Sequence, residues 1–458
     1  MTRKLGAVVS ISIMLAVVLV MPAVSSMPMN DSIFDLTRQS DVILTGIVIE
    51  LEPQQNTQPN TTQQGSGSIM VKQVLKGKVP ADRLVITGLL QSSCVISYYP
   101  VKVGDEAVFF LKAADNQTFT VTGNGGGCRV LKADSRNLYL SAVRRLIVIT
   151  NMNDVDKETR AILAEAPSIN KVMRNEVRNY AAKLSYRDDR QKYKGILVNL
   201  LKSPVSDARL TALYGLERIN APEALPAIID QLSDKDPAIM HAASEALRIY
   251  DTEMSVNALI SFAARSGDDL RSRAIIDLGV SKRPNAMRIV VMYLDDPNPR
   301  VRCSAASALI SPLREGKSLE AIPQLIRMLD DSDEEVVVSA AIALGESRQL
   351  SAVEPLLNVL KREALSERVE GFVVQALGIL YRDLPSGAKN VQSRKIIDRH
   401  LDLIIASLNR GSWLSSLSAV GILAASKEPE AAEALRYASS NNPLPDIREY
   451  AAKQIQNR

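Results

Sequence analysis

The chain has little of what usually performs chemistry. Its 458 residues include two histidines, His241 and His400, and three cysteines, Cys94, Cys128 and Cys303. These are scattered, so no Cys/His set stands at zinc spacing. No phosphate-binding G-x-x-x-x-G-K-[ST], no G-x-S-x-G elbow and no G-x-G-x-x-G opening a helix occurs. GNGGGC, from Gly123, reads as a tight turn, because no helix signal follows it. The acidic runs Asp105-Glu106 and Asp330 to Glu335 read as helix caps and solvated faces. Aromatic residues are 4% of the chain, which leaves few stacking platforms for single-stranded nucleic acid. Net charge is +4, so no strongly acidic or basic partner is implied. No catalytic residue, cofactor or metal ligand is assigned from the sequence. Apolar residues reach 46% with few aromatics, so the core consists of Ala, Leu, Ile and Val, a composition suited to stacked helices.

At the N-terminus, Arg3 and Lys4 precede an uncharged run from Leu5 to Val24, and Ala23-Val24-Ser25 supplies small residues at its end. This is the anatomy of a secretory signal over residues 1–26. Pro22 and the small residues favour cleavage over an uncleaved membrane anchor, a reading that the length of the run also permits. Removal of Arg3 and Lys4 takes the net charge from +4 to +2. The expected location is secreted or periplasmic, with no membrane span after cleavage. In an oxidising compartment Cys94 and Cys128, both in a strand-rich region, are the expected disulfide, which would stabilise by ~3–4 kcal/mol. Cys303 reads as a small packed residue in a helix.

Organisation is clearest in the second half. Leu216, Leu247, Leu278 and Leu309 are 31 residues apart, with Ala212, Ala243, Ala274 and Ala305 four positions before them. Ala208, Ile239, Leu270 and Val301 lie eight positions before. Offsets of four and eight share one helix face. The series continues at wider steps to Leu344, Leu377, Val420 and Ile455. A period of this size predicts a solenoid in which each repeat is a pair of helices, the first carrying the stripe and the second a short apolar run such as Glu223 to Leu232. Asp207, Asp236, Asp268, Asp296, Asp333 and Asp446 lie just upstream of first helices, where a carboxylate caps free N–H groups. Gly215, Gly279, Gly345, Gly378 and Gly421 sit close to the stripe, ending the helix or letting a neighbour approach.

Before this array, short β-branched runs at Val42, Ser68, Arg83, Glu106 and Thr118 alternate with turn residues and predict a small antiparallel β-barrel over residues 28–134. Glu52 to Ser68, polar and aperiodic, reads as a flexible hairpin loop. Residues 27–134 hold nine Lys or Arg against ten Asp or Glu, which argues against nucleic acid. Residues 135–203 form a helical connector with capping helices. This connector is basic, with nine Lys or Arg against five acids over Ser135 to Ser185, and reads as a solvated face.

SDVILTGIV from Ser40, VKQVLKGKV from Val71, VGDEAVFFL from Val103 and GGGCRVL from Gly125 resemble the OB-type barrel of tissue-inhibitor-of-metalloproteinase and netrin-like modules. In the inhibitors an N-terminal cysteine chelates the target's zinc. Here no cysteine precedes Cys94, so the resemblance implies a fold rather than that activity. DPNPRVRCSAASAL, from Asp296, resembles the HEAT repeats of phycobilin-lyase type. Asp296, Val301, Arg302, Ala305, Ala308 and Leu309 match their pattern, and Arg209, Arg271 and Arg448 occupy the same arginine position in other repeats. The resemblance implies that these Asp and Arg residues tie neighbouring repeats together. The fold class expected is multidomain α+β, an OB-like barrel followed by an all-α HEAT-like solenoid over residues 204–458. The function expected is a non-catalytic scaffold that binds a protein or peptide outside the cytoplasm. The alternatives are a lyase or chaperone related to the HEAT-type bilin lyases, and protease-inhibitor-like binding by the barrel.

Overall fold

The computed structural model describes residues 32–51, 63–92, 101–114, 118–122, 128–184, 188–382, 388–410 and 412–457. The signal segment, Cys94 and the glycines of the GNGGGC turn lie outside these. The chain divides into two compact units, residues 1–196 and 197–458.

In the first unit a helix absent from the sequence reading, α1 (Ile33–Gln39), starts where the Ser32 hydroxyl accepts from the Asp35 amide. Six strands follow, β1 (Val42–Leu51), β2 (Gln63–Lys76), β3 (Arg83–Ser92), β4 (Glu106–Ala113), β5 (Thr118–Val121) and β6 (Cys128–Val130). Their order β1-β2-β3-β5-β4, with β4 pairing back onto β1, closes a five-stranded barrel, and β6 adds to β4 beyond the β5 pairing. This is OB-like topology. Not every pair is antiparallel, because the closing β3–β5 pair is parallel. Residues 63–68, expected in a loop, are paired strand: Gly67 stands opposite both Leu51 and Ile86. The β3 ladder holds this Gly/Ser/Gln segment, whose own preference is not β, and β1 adds a second ladder at Gly67 and Ser68. Val42, Leu44, Val48, Ile86, Phe109 and Leu111 fill the barrel. The alternate residues Ile43, Val108 and Phe110 are fully buried too, on the outer side.

Three helices complete this unit: α2 (Arg136–Thr150), α3 (Val155–Leu163) and α4 (Lys171–Lys183). Glu176 of α4, 7% exposed, accepts from the Phe34 amide at 3.3 Å, and Phe34 meets Tyr180 edge-on at 4.9 Å. Lys183 pairs with Asp35. These bonds tie α1 to α4, so the compact unit extends past the barrel into the helices. Helix α5 (Lys194–Leu200) lies across the division between units.

In the second unit the first helices of successive repeats are α6 (Ser206–Ile219), α8 (Pro237–Leu247), α10 (Asp268–Gly279), α12 (Pro299–Arg314), α14 (Glu334–Ser347), α16 (Glu367–Arg382), α19 (Trp413–Ala425) and α21 (Pro445–Gln456). The second helices are α7 (Leu225–Asp230), α9 (Glu253–Arg265), α11 (Pro284–Met292), α13 (Ile322–Arg327), α15 (Val353–Leu360), α18 (Leu401–Asn409) and α20 (Pro429–Asn441), with α17 (Ala388–Asp398) inserted before α18. Proline at the first position, as in α8, α12 and α21, presets φ where no amide partner is needed. The stripe residues Ala212, Ala243, Ala274, Val301, Ala305 and Leu309 are fully buried. They are covered chiefly by the next first helix, whereas second helices meet their successors sparsely. The first helices are thus the closely spaced layer of the stack.

Two of the glycines enforce that spacing. A Cβ on Gly279 would lie 2.6 Å from Ala308 Cβ, and one on Gly345 would lie 2.8 Å from Ala376 Cα. Only Gly279 ends its helix; α6 and α14 end instead at Asn220 (φ 52) and Arg348 (φ 51) in the left-handed region. Gly195 faces open space. Gly279→Ala and Gly345→Ala are therefore expected to destabilise by ~1–3 kcal/mol through overpacking, whereas Gly195→Ala should stabilise slightly, by ~0.5–1 kcal/mol. Denaturant melts of the three full-length variants beside the parent check this order.

Candidate interaction surface

An aspartate–arginine ladder runs along one edge of the solenoid, where each second helix turns into the next first helix. Arg302 of α12 donates to the carbonyls of Asp296 (2.9 Å) and Pro297 (3.0 Å) in its own turn and to both carboxylate oxygens of Asp331 in the next, at 2.8 Å each. Arg271 repeats this with the Ser266 carbonyl at 3.0 Å and Asp296 at 3.3 Å. Arg209 does so with the Ser203 carbonyl at 2.8 Å and Asp234 at 3.1 Å. Arg448 bonds its own turn at the Asn442 carbonyl, 2.6 Å away. A guanidinium carries five donors in a fixed fork, which suits this double task of satisfying turn carbonyls and gripping the next repeat.

The carboxylates are arranged in pairs two residues apart. Asp234, Asp296 and Asp331 receive the arginine and also accept from the amides of Asp236, Asn298 and Asp333 at 2.8–2.9 Å. The second member of each pair caps the helix: Asp236 accepts from Ala238, Asn298 from Arg300, and Asp333 from Glu335, at 2.9–3.0 Å. Asp236 and Asp333 are thus caps, as expected. Asp296 is not; it shapes the turn, and Asn298 caps. Asp207, Asp268 and Asp446 lie inside the first helical turn. Burial opposes ionisation of Asp331, but the Arg302 and Asp333 hydrogen bonds outweigh it and hold its carboxyl below the usual range.

A second ladder, missed in the sequence, links the second helices. Arg265 ends α9 and donates to the Leu232 carbonyl at 3.1 Å, and Arg362, just after α15, donates to the Leu329 carbonyl at 2.9 Å. Arg327 of α13 approaches Asp295 at 3.3 Å. The recurrence of arginine where these helices end, 32 or 33 residues beyond its partner, was the available signal.

The outward face of the first helices carries a third set of contacts. His241 of α8 meets Arg273 of α10 at 2.9 Å, Arg300 of α12 pairs with Asp269 of α10, and Arg368 of α16 pairs with Glu335 of α14 at 2.7 Å. Such exposed pairs contribute ~0–1 kcal/mol each, and they leave little net charge on this face. Between them stand the half-exposed Tyr214, Ile276, Ile342 and Phe372. His400, in the turn between α17 and α18, bonds the Ile396 carbonyl of α17 at 3.0 Å. Cys303, half-buried, has its thiol pushed up to about 11 by burial, and Cys128 is pushed up to about 12 for the same first reason; among the described residues neither is disulfide-bonded, and Cys94, the expected partner of Cys128, lies outside them. Among the described residues no group of three or more His, Cys, Asp or Glu is placed to hold a metal ion.

Three overlapping stretches, residues 195–279, 256–343 and 290–378, match the family model for HEAT repeats. The helical unit is a HEAT-like solenoid. No curated protein matches the chain. Among solved structures, importin beta is similar at a TM-score of 0.50 and 14% identity, over 71% of this chain and 51% of importin beta. The complex of CpcE and CpcF of phycocyanin lyase from Nostoc matches at a TM-score of 0.32 and 18% identity, over 53% of this chain and 94% of that one. An engineered protein matches at 0.37 and 17%, over 71% and 99%. At these identities the likeness is one of fold.

Arg302 and Asp331 are 16% and 13% exposed, so removing one leaves the other's hydrogen bonds unmet in a poorly solvated turn. Arg302→Ala should cost about 2–4 kcal/mol, with Arg302→Lys recovering only part because an ammonium lacks the fork. The double variant Arg302→Ala/Asp331→Ala should cost less than the sum of the singles. Denaturant titration of all four proteins measures the coupling.

Proposed function

We propose that the protein is an extracytoplasmic scaffold, without catalytic activity of its own, whose solenoid binds a protein or peptide on the outward face of its first helices. The observation that carries this reading is the division of labour among side chains. The two edge ladders are spent holding repeats together, and the charged residues on the outward face of the first helices pair mostly with one another. What that face offers a partner is therefore its half-exposed apolar and aromatic groups, Tyr214, Ile276, Ile342 and Phe372, in a surface of little net charge. Extended surfaces of this kind are what solenoids present to partners. An uncharged face with aromatic anchors favours a polypeptide over nucleic acid, whose binding requires many phosphate contacts. Both histidines are engaged in local packing contacts, which supports a binding rather than a chemical role. The location rests on the character of residues 1–26 and on Pro22, and the mass of the protein recovered from outside the cytoplasm should lack about that segment. The Cys94–Cys128 bridge belongs to the same reading, and non-reducing peptide mapping of secreted protein tests it.

Crosslinking the tagged full-length protein in fractionated cells should recover a reproducible extracytoplasmic polypeptide. Phe372→Asp combined with Ile276→Asp should reduce that recovery at least about tenfold, as loss of central anchors does, while the melting profile changes little because both side chains are half-exposed. Recovery unchanged by the pair would move binding away from this face, and absence of any polypeptide would reject the scaffold reading.

A further inference from the structure

The joint between α8 and α10 buries a carboxyl group that no arginine or lysine pairs with among the described residues, whereas Glu217, Glu346 and Glu370, the other buried acids of the first helices, meet Arg248, Arg314 and Arg410. The residue before each stripe leucine or valine is small at the other positions: Gly215, Ala246, Ala308, Ala343, Ala376 and Ala419. In α10 it is Asp277, 4% exposed. Across the joint the fully buried Ser244 of α8 hydrogen-bonds its carboxyl oxygen. The charges acting on Asp277 come from α8 and α6: Arg248 favours its ionisation, while Glu245 and Glu217 oppose it. Arg248 is itself drawn to Glu217, 3.6 Å away. On the other side α12 presents Ala308 to Gly279. On α10 itself, Arg273 is directed to His241. Arginine has only donors, so His241 Nε2 accepts and its proton sits on Nδ1, 3.9 Å from Glu245.

We propose that the α8–α10 joint is a proton-operated hinge of the solenoid, closed while Asp277 keeps a proton shared with Ser244 and opening locally once that proton is lost. Among the described residues no cation is hydrogen-bonded to the carboxylate, so its ionised form is buried with one neutral hydroxyl, with Arg248 drawn away to Glu217 and with the Glu217 and Glu245 carboxylates nearby. Burial pushes the Asp277 carboxyl up to about 7, against the pull of Ser244 and Arg248. His241 does not contribute near neutrality, because burial first, then Arg273 and Arg248, lowers it to about 4. Glu217 and Glu245 are also raised by burial and add like charge as they ionise. In the open joint Asp277 has an ordinary aspartate value near 4. Between those two values the closed joint holds a proton that the open joint does not, so rising pH favours opening. The stabilisation is complete below about pH 4 and is lost progressively towards pH 7.

Amide hydrogen exchange of the full-length protein at pH 5, 6, 7 and 8, corrected for intrinsic rates, tests the hinge. Protection of residues 237–247 and 268–279, relative to 299–314, should fall by up to about tenfold per pH unit to pH 7 and then level off. Asp277→Asn, a neutral isostere able to bond Ser244, should give the same protection at every pH, while Glu245→Gln should keep the slope. A flat profile in the parent protein overturns the proposal whether or not the variants fold. A slope that survives in a folded Asp277→Asn protein overturns it by assigning the proton elsewhere.

Discussion

Everything in the solenoid depends on how closely consecutive first helices approach. A helix whose buried stripe is mostly alanine and leucine cannot cover that stripe itself, and the short second helices are too sparse to do so. The next first helix must therefore come near enough for backbone to touch side chain. Gly279 against Ala308 and Gly345 against Ala376 show the resulting limit: one added methyl on either glycine meets atoms at under 3 Å. Dense packing of this kind tolerates little change in volume.

Once the helices are that close, their preceding turns lie side by side, and the aspartate–arginine ladder follows. A turn between helices leaves carbonyls without intrahelical partners. Arg209, Arg271 and Arg302 satisfy those carbonyls from within the repeat and extend to the carboxylate of the next. Each turn is thereby fixed against its successor in one register, something the featureless alanine stripe cannot specify. The second ladder, from Arg265, Arg327 and Arg362, ties the ends of the second helices to the same turns, at Leu232, Asp295 and Leu329, so this edge of the stack is pinned twice.

The array was legible because its physics is periodic. Alanine and leucine at offsets of four and eight mark one helix face, and equal steps mark stacking, so Val301, Ala305 and Leu309 fall in the core where the pattern puts them. The division of work between Asp296 and Asn298 was not legible, since an Asp two residues from a polar neighbour looks the same whether it caps a helix or shapes a turn. Arg265 and Arg362 were missed because the repeat was followed along the stripe of the first helices, and these arginines stand at the ends of the second helices. In the barrel, β-branched runs located the strands, but residues 63–68 owe their strand conformation to pairing with β3, joined at Gly67 and Ser68 by β1. The parallel β3–β5 closure is likewise a tertiary fact with no local sign. Helix α1 escaped notice because seven residues make too short a window for periodicity, and its place is set by Glu176, far along the chain.

Asp277 sits where two of these constraints conflict. The position demands a small apolar side chain, and α10 supplies a carboxyl acid that fits in volume only by making its peace with Ser244 through a hydrogen bond. In a globular core such a group would weaken the whole fold. A solenoid is different, because each repeat contacts only its neighbours and a strained joint is felt locally. The arrangement concentrates sensitivity at one interface while α12, α14 and α16 pack on through alanine and glycine. The other buried acids of the first helices are each met by an arginine, whereas this joint closes or opens with the charge state of a single side chain, and it lies beneath His241, Glu245 and Arg273 on the face where a partner would bind.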